Sequence, residues 1–72
     1  MRELTTQEIE ECARWPGCNA KTVKNYLGTI KNRNFTGVGS AAFAVRQDGL
    51  DFGWNKDTLD AILVGLRLAF KE

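Results

Sequence analysis

The sequence predicts a single small α+β domain made of three helices and one β-hairpin. Two helix-start signals lie close together near the beginning of the chain. An Asp-Gly pair then separates two runs of alternating apolar residues, and an apolar helical repeat ends the sequence. Because a chain of 72 residues with 43% hydrophobic residues can build only one core, we expect one domain over residues 1–72.

The first helix begins with a capping box. Thr5 is placed as the N-cap residue, and Glu8 follows three residues later, where its carboxylate can bond back to the N-cap amide. Leu4 and Ile9 have the spacing of a hydrophobic staple around this cap. Pro16 and the glycine after it predict that the helix ends near Arg14 or Trp15.

The second helix is predicted over residues 20–31, with Asn19 as its N-cap. Its apolar stripe has helical spacing and comprises Val23, Tyr26, Leu27 and Ile30. The opposite face carries basic and amide side chains and no acidic residue. It comprises Lys21, Lys24, Asn25, Gly28, Lys31 and Asn32. A solvated helix face usually mixes charges of both signs, so this composition favours an anionic partner.

A β-hairpin is predicted next, after a glycine-rich loop over residues 34–41. The loop amides could meet a phosphate, but the loop lacks the residues of a P-loop and is predicted to be a linker. Asp48-Gly49 is a preferred type I′ turn and predicts strands at residues 42–47 and 50–55. One face of that hairpin would hold Phe43, Val45, Leu50, Phe52 and Trp54, and Arg46 would pair with Asp51 on the other.

The last helix is predicted to begin at Asp57 and to continue to the end of the chain. Its core face would contain Leu59, Ile62, Leu63, Leu66 and Phe70. A second, weaker apolar stripe comprises Ala61, Val64, Gly65 and Leu68, of which Val64 and Leu68 are the large residues. Val64 and Leu68 either extend the core or form a patch for self-association. In the second case the chain would form a homodimer through these two residues.

The charges are segregated along the chain. Residues 12–47 hold six of the ten basic residues and none of the nine acidic ones. Such a block predicts one basic surface, as nucleic-acid-binding proteins use. Chance clustering on a solvated surface would give the same pattern.

Composition argues against several other classes of protein. The chain has no histidine, and its two cysteines cannot complete a zinc site by themselves, so no metal, no cofactor and no enzymatic activity are expected. Neither an apolar run long enough for a bilayer nor a signal peptide is visible. We therefore expect a cytoplasmic protein that has no membrane partner.

Two helices joined by a tight turn, followed by a hairpin, have the layout of a winged helix-turn-helix. Residues 4–8, Leu-Thr-Thr-Gln-Glu, resemble the opening of the first helix in phage excisionases and their MerR-like relatives. Residues 19–27 are similar to the recognition helix of these proteins, and residues 45–49 to the tip of their wing. The resemblance covers residues 4–54.

This resemblance implies a small sequence-specific DNA-binding accessory protein of a phage or mobile element, acting as a transcription regulator or in an excisionase-like role. Asn25 could pair with adenine, while lysines of the same helix contact phosphate or guanine. Arg46 would contact the DNA backbone or minor groove from the wing. The residues expected to bind duplex DNA are Lys21, Lys24, Asn25, Lys31, Arg33 and Arg46.

Two alternatives fit the same size and charge. One is a small phage-encoded protein–protein module that inhibits or adapts a host machine, and the other is a small phage structural protein of the head-joining type. Salt-dependent binding to duplex DNA would support the DNA-binding hypothesis. Co-purification with a host protein would support the protein–protein module.

Overall fold

The computed structural model describes residues 1–71 and shows four α-helices. They are α1 (Thr6–Cys12), α2 (Ala20–Asn32), α3 (Val38–Phe52) and α4 (Lys56–Phe70). Because this described part of the chain contains no strand, the predicted α+β class and its β-hairpin wing are wrong. None of the four helices is both long enough and apolar enough to cross a bilayer.

The start of α1 confirms the predicted capping box. The Thr5 hydroxyl accepts a hydrogen bond from the Glu8 amide at 3.1 Å, and the Glu8 carboxylate accepts one from the Thr5 amide at 2.9 Å. Arg2 also donates to Glu8, with a closest N–O distance of 2.6 Å. This guanidinium, together with the Thr5 amide, lowers the pKa of Glu8 to about 2.

The connection between α1 and α2 is anchored on the beginning of α4. It covers residues 13–19 and is longer than the three or four residues that typically join a helix-turn-helix pair. The Gly17 carbonyl accepts a hydrogen bond from the Asn55 side chain at 3.0 Å, and the Cys18 thiol donates to the Asp57 carbonyl at 2.9 Å. These hydrogen bonds fix the connection between α1 and α2 on the first turn of α4.

The central helix is α4, which contacts each of the other three helices. It begins one residue before Asp57, because Asn55 is the N-cap and its side chain accepts from the Thr58 amide at 2.8 Å. Ile62 and Leu66 are fully buried on it. Gly65 allows α2 to approach closely, since a Cβ there would lie 2.8 Å from Leu27 Cδ1.

Helix α3 occupies the chain that was predicted to form the hairpin, and part of the predicted loop. Its buried side is the i, i+4, i+8 series Ala41, Val45 and Gly49, which lies along one face of the helix. Asp48 lies beside this stripe and accepts a hydrogen bond from the Tyr26 hydroxyl at 2.5 Å. The two residues of the expected turn therefore have roles in tertiary packing.

Gly49 is a packing residue because an indole ring lies on it. A Cβ at this position would be 3.1 Å from Cε3 of Trp54. The chain reverses at Gly53, the αL residue that ends α3 with φ 72° and ψ 32°, and this returns Trp54 toward the helix. The indole then contacts the Tyr26 ring edge-on, with 4.5 Å between ring centroids.

The predicted core is largely confirmed on α1, α2 and α4. Leu59, Leu63 and Phe70 are partly buried against it, and the fully or nearly fully buried members are Ile9, Val23, Tyr26, Leu27, Ile30, Ile62 and Leu66. On α3 the prediction holds for Val45 and fails for two aromatic residues. Phe43 and Phe52 are 74% and 65% exposed, because Phe43 lies on the side of α3 opposite Val45 and Phe52 is the last residue of the helix.

Candidate nucleic-acid-binding surface

One side of α2 forms the candidate surface, which we call the basic face. It consists of Lys21, Lys24, Asn25, Gly28, Lys31 and Asn32, all of them exposed. The residues share a face because each step of three or four returns to nearly the same direction around the helix. Val23, Leu27 and Ile30 fix this orientation, since they are buried on the opposite side.

The lysines of the basic face have no carboxylate partners. Within residues 1–71 the ion pairs are Arg2–Glu8 and Arg33–Asp48. Helix α2 itself contains no Asp or Glu. Lys21, Lys24 and Lys31 therefore present positive charge to solvent along one helix, with no direct ion pair among residues 1–71.

Gly28 lies between the lysines, at the centre of the basic face. A Cβ at this position would meet nothing within 4 Å, so packing inside the chain does not require glycine there. Glycine in a helix interior lowers stability by roughly 0.5–1 kcal/mol relative to alanine. Its absence of a side chain lets another molecule come close to the helix backbone at this point.

The N-terminal segment borders the basic face on one edge. The Arg2 amide donates to the Ala69 carbonyl at 2.8 Å, which holds the extended segment against the end of α4. A shallow cleft between this segment and α2 is lined in part by Glu3, Lys24 and Lys31. An acid therefore borders this lysine edge, although the sequence pattern placed it in a separate block.

Arg33 does not join the basic face. It is the C-cap of α2 and its guanidinium lies 3.3 Å from the Asp48 carboxylate of α3. The same group stacks over the Phe35 ring at 4.9 Å. Its charge is therefore partly compensated, and it serves the junction between α2 and α3.

Arg46 also lies elsewhere. It is exposed on α3, two residues before Asp48, which points toward α2. Two residues correspond to about 200° around a helix, so Arg46 projects away from the α2 side. The structure thus brings together Lys21, Lys24, Asn25 and Lys31, and places the two arginines of the predicted site apart from them.

A second exposed surface lies on α3, and the sequence analysis missed it. Phe43 and Leu50 are 74% and 79% exposed and are one heptad apart, so they lie on one side of the helix. Ser40 and Gln47 are exposed on the same side of the helix. We call the surface formed by Ser40, Phe43, Gln47 and Leu50 the apolar face. The seven-residue spacing of Phe43 and Leu50 could have indicated this surface. The alternation of apolar and polar residues through Val45 and Phe52 fitted a β-strand equally well, and the strand was predicted instead.

The remaining candidates are the two cysteines and the pair Val64 and Leu68. Cys12 and Cys18 are free thiols, and burial raises the pKa of both, so neither is activated as a nucleophile. Val64 and Leu68 are half-buried and line a shallow cleft with Trp15 between α1 and α4. No cluster of three potential metal ligands occurs in the described residues.

No protein-family model, curated protein or solved structure matches the chain. Function therefore has to be inferred from the two exposed helix faces, one basic and one apolar.

Proposed function

We propose that the protein binds duplex DNA through the basic face of α2. The observation that carries the proposal is the row of three unpaired, exposed lysines on a helix without an acid. Positive charge arranged in this way attracts phosphates and makes binding dependent on salt.

The dimensions of α2 suit the major groove. A helix of 13 residues is about 20 Å long, and the groove is about 12 Å wide, enough to admit one helix. Asn25, Gly28 and Asn32 lie along the middle of the basic face, and Lys24 and Lys31 lie along one edge. The middle of the face would meet base edges, while the edge meets phosphates.

Asn25 is the residue best placed to read sequence. Its amide offers one donor and one acceptor, the pattern that pairs bidentately with the major-groove edge of adenine. No hydrogen bond inside the described chain occupies this side chain; the Thr29 hydroxyl donates to the Asn25 backbone carbonyl instead, at 3.2 Å. The neighbouring Gly28 leaves room for the base pairs to approach.

The mode of binding differs from that of a winged protein because a single helix provides the contacts. Arg33 is paired with Asp48, and Arg46 projects from α3. With three lysines neutralising phosphates, log K should fall with log salt with a slope of about −3. We therefore expect binding that is clear at low salt and weak near physiological salt.

The first experiment is a titration of duplex DNA at several salt concentrations with Lys24→Ala. If Lys24 contacts a phosphate, this variant binds all sequences more weakly and its salt slope is shallower by about one unit. Lys56→Ala is the matched control, because it removes the same charge from the beginning of α4 and should leave the slope unchanged.

The second experiment concerns specificity. Asn25→Ala should cost about 1–3 kcal/mol of binding free energy at one base position and relax the preference there. Duplexes substituted at each position in turn provide the measurement. An equal loss on every duplex would contradict base reading by Asn25.

An acidic protein surface is the other partner that a basic face fits. A titration that shows no duplex binding at low salt would contradict the proposal. The partner would then be an acidic protein. Replacing Lys21, Lys24 and Lys31 by alanine should abolish binding of that protein.

A further inference from the structure

The apolar face of α3 has the heptad spacing of one helix of a parallel coiled coil, with apolar residues at its d positions and polar residues at its a positions. Phe43 and Leu50 are seven residues apart, as are Ser40 and Gln47, and together they follow the a and d spacing of a heptad. All four side chains are exposed. Ala41, Val45 and Gly49 point in the opposite direction, into the core, so the stripe is free to meet another helix.

Charges of opposite sign lie on the two sides of this stripe. Arg46 is on one side and Asp51 on the other, both exposed. They are five residues apart, about 140° around the helix, which is too far for a pair within α3. Among residues 1–71, neither belongs to an ion pair.

Five residues is the spacing of the ion pair that crosses between chains in a parallel two-stranded coiled coil. When Phe43 and Leu50 occupy d positions, Arg46 is at g and Asp51 is at the following e. Each Arg46 then meets the Asp51 of the other chain, and symmetry forms the pair twice. In an antiparallel pair the g positions of the two helices face each other, so Arg46 would lie opposite the Arg46 of the other copy and the two charges would repel.

We propose that two copies of this chain associate in parallel through α3. Phe43 and Leu50 of each copy pack against the same residues of the other, and two Arg46–Asp51 pairs fix the direction. Gln47 occupies an a position. A polar residue there favours one register of the two helices and makes the dimer less stable. The proposal is independent of DNA binding, because it uses no residue of the basic face.

The expected dimer is weak. Its contact is one helix of 15 residues with an apolar residue at only half of its seam positions. That surface is smaller than the roughly 800 Å² per partner of a standard stable interface. Self-association should therefore depend on concentration and be visible by sedimentation equilibrium over a wide concentration range.

The test uses charge reversal across the seam. Arg46→Asp and Asp51→Arg should each weaken self-association by at least about tenfold, because like charges then face each other at two places. The double variant should associate as the unmodified chain does. A one-to-one mixture of the two single variants should form a heterodimer that neither variant forms alone.

Controls separate the seam from general effects of charge and folding. Glu10→Arg changes the net charge as Asp51→Arg does, on an exposed position of α1, and should not alter association. Phe43→Ala should abolish association while the circular dichroism spectrum and melting temperature stay the same, because its side chain is exposed.

Three results would overturn the proposal. One is a chain that stays monomeric at every concentration. Another is a pair of single variants that fails to associate on mixing. The third is a dimer that is unaffected by Phe43→Ala and lost with Val64→Asp, which would assign the contact to the cleft between α1 and α4.

Discussion

Helices α2 and α3 both pack one side against α4, but their outer sides differ in chemistry. The outer side of α2 carries Lys21, Lys24 and Lys31, whereas that of α3 carries Phe43 and Leu50. Water solvates lysines at no cost, whereas exposed large apolar side chains are stabilised by contact with a partner. The two proposals therefore assign a different partner to each outer side, DNA to α2 and a second copy of the chain to α3.

The largest expected effect separates the core from the apolar face. Leu66 is fully buried on α4, so Leu66→Ala should lower the free energy of unfolding by about 2–5 kcal/mol. Leu50 is 79% exposed, so Leu50→Ala should change it by less than about 0.5 kcal/mol. Urea denaturation of the monomer measures both. Similar losses in the two variants would mean that the outward orientation of α3 is wrong.

A smaller effect distinguishes two glycines. Gly53 ends α3 in the αL conformation, so Gly53→Ala should destabilise the protein by about 1–2 kcal/mol. Gly28 has helical backbone angles and open space around it, so Gly28→Ala should stabilise by roughly 0.5–1 kcal/mol. Thermal melts of the two variants should shift in opposite directions.

Gly28→Ala also sharpens the assignment of the basic face. Although it should stabilise the fold, its methyl group would occupy the space through which DNA approaches the helix. We therefore expect weaker duplex binding from a more stable protein. Unchanged affinity would show that the middle of the basic face does not meet the DNA closely.

The junction between α2 and α3 gives the smallest effect. Tyr26→Phe removes the hydrogen bond to Asp48 and should cost about 0.5–1.5 kcal/mol. Burial, with the nearby Asp48 carboxylate, raises the pKa of Tyr26 above its ordinary value of 10.0. Above that pH the unfolded chain loses the phenolic proton while the folded chain keeps it, so stability falls as pH rises.

Phenolate absorbance checks this directly, because Tyr26 is the one tyrosine in the sequence. The folded protein should show no ionisation at the pH where a free tyrosine titrates, and the signal should appear together with unfolding. A titration midpoint near pH 10 in the folded protein would contradict the burial of this hydroxyl.

Helix starts and helix faces could be predicted from the sequence, because they depend on interactions between residues a few positions apart. Thr5 with Glu8, and Asn19 with the amides that follow it, define helix starts through bonds within one turn. The same holds for the basic face, because an apolar stripe at helical spacing fixes which side points outward. These features were predicted correctly from residue spacing alone.

The hairpin prediction failed because Asp48 and Gly49 have partners far away in the sequence. Asp48 meets Tyr26 and Arg33, and Gly49 lies beneath Trp54, so a sequence pair typical of a turn is explained by tertiary contacts. Tertiary context overrode local preference there. The placement of Arg46 failed for the same reason, because its expected position on a wing depended on the predicted turn. The helical spacing, by contrast, already put Arg33 on the side of Tyr26 and Ile30.

An amide NMR titration with a short duplex at low salt shows most directly whether DNA binds the basic face and leaves the apolar face free. We predict that the shifts cluster on α2, at Lys21, Lys24, Asn25 and Gly28, while the amides of α3 around Phe43 and Leu50 stay in place. Shifts centred on α3, or no shifts at any DNA concentration, would contradict it.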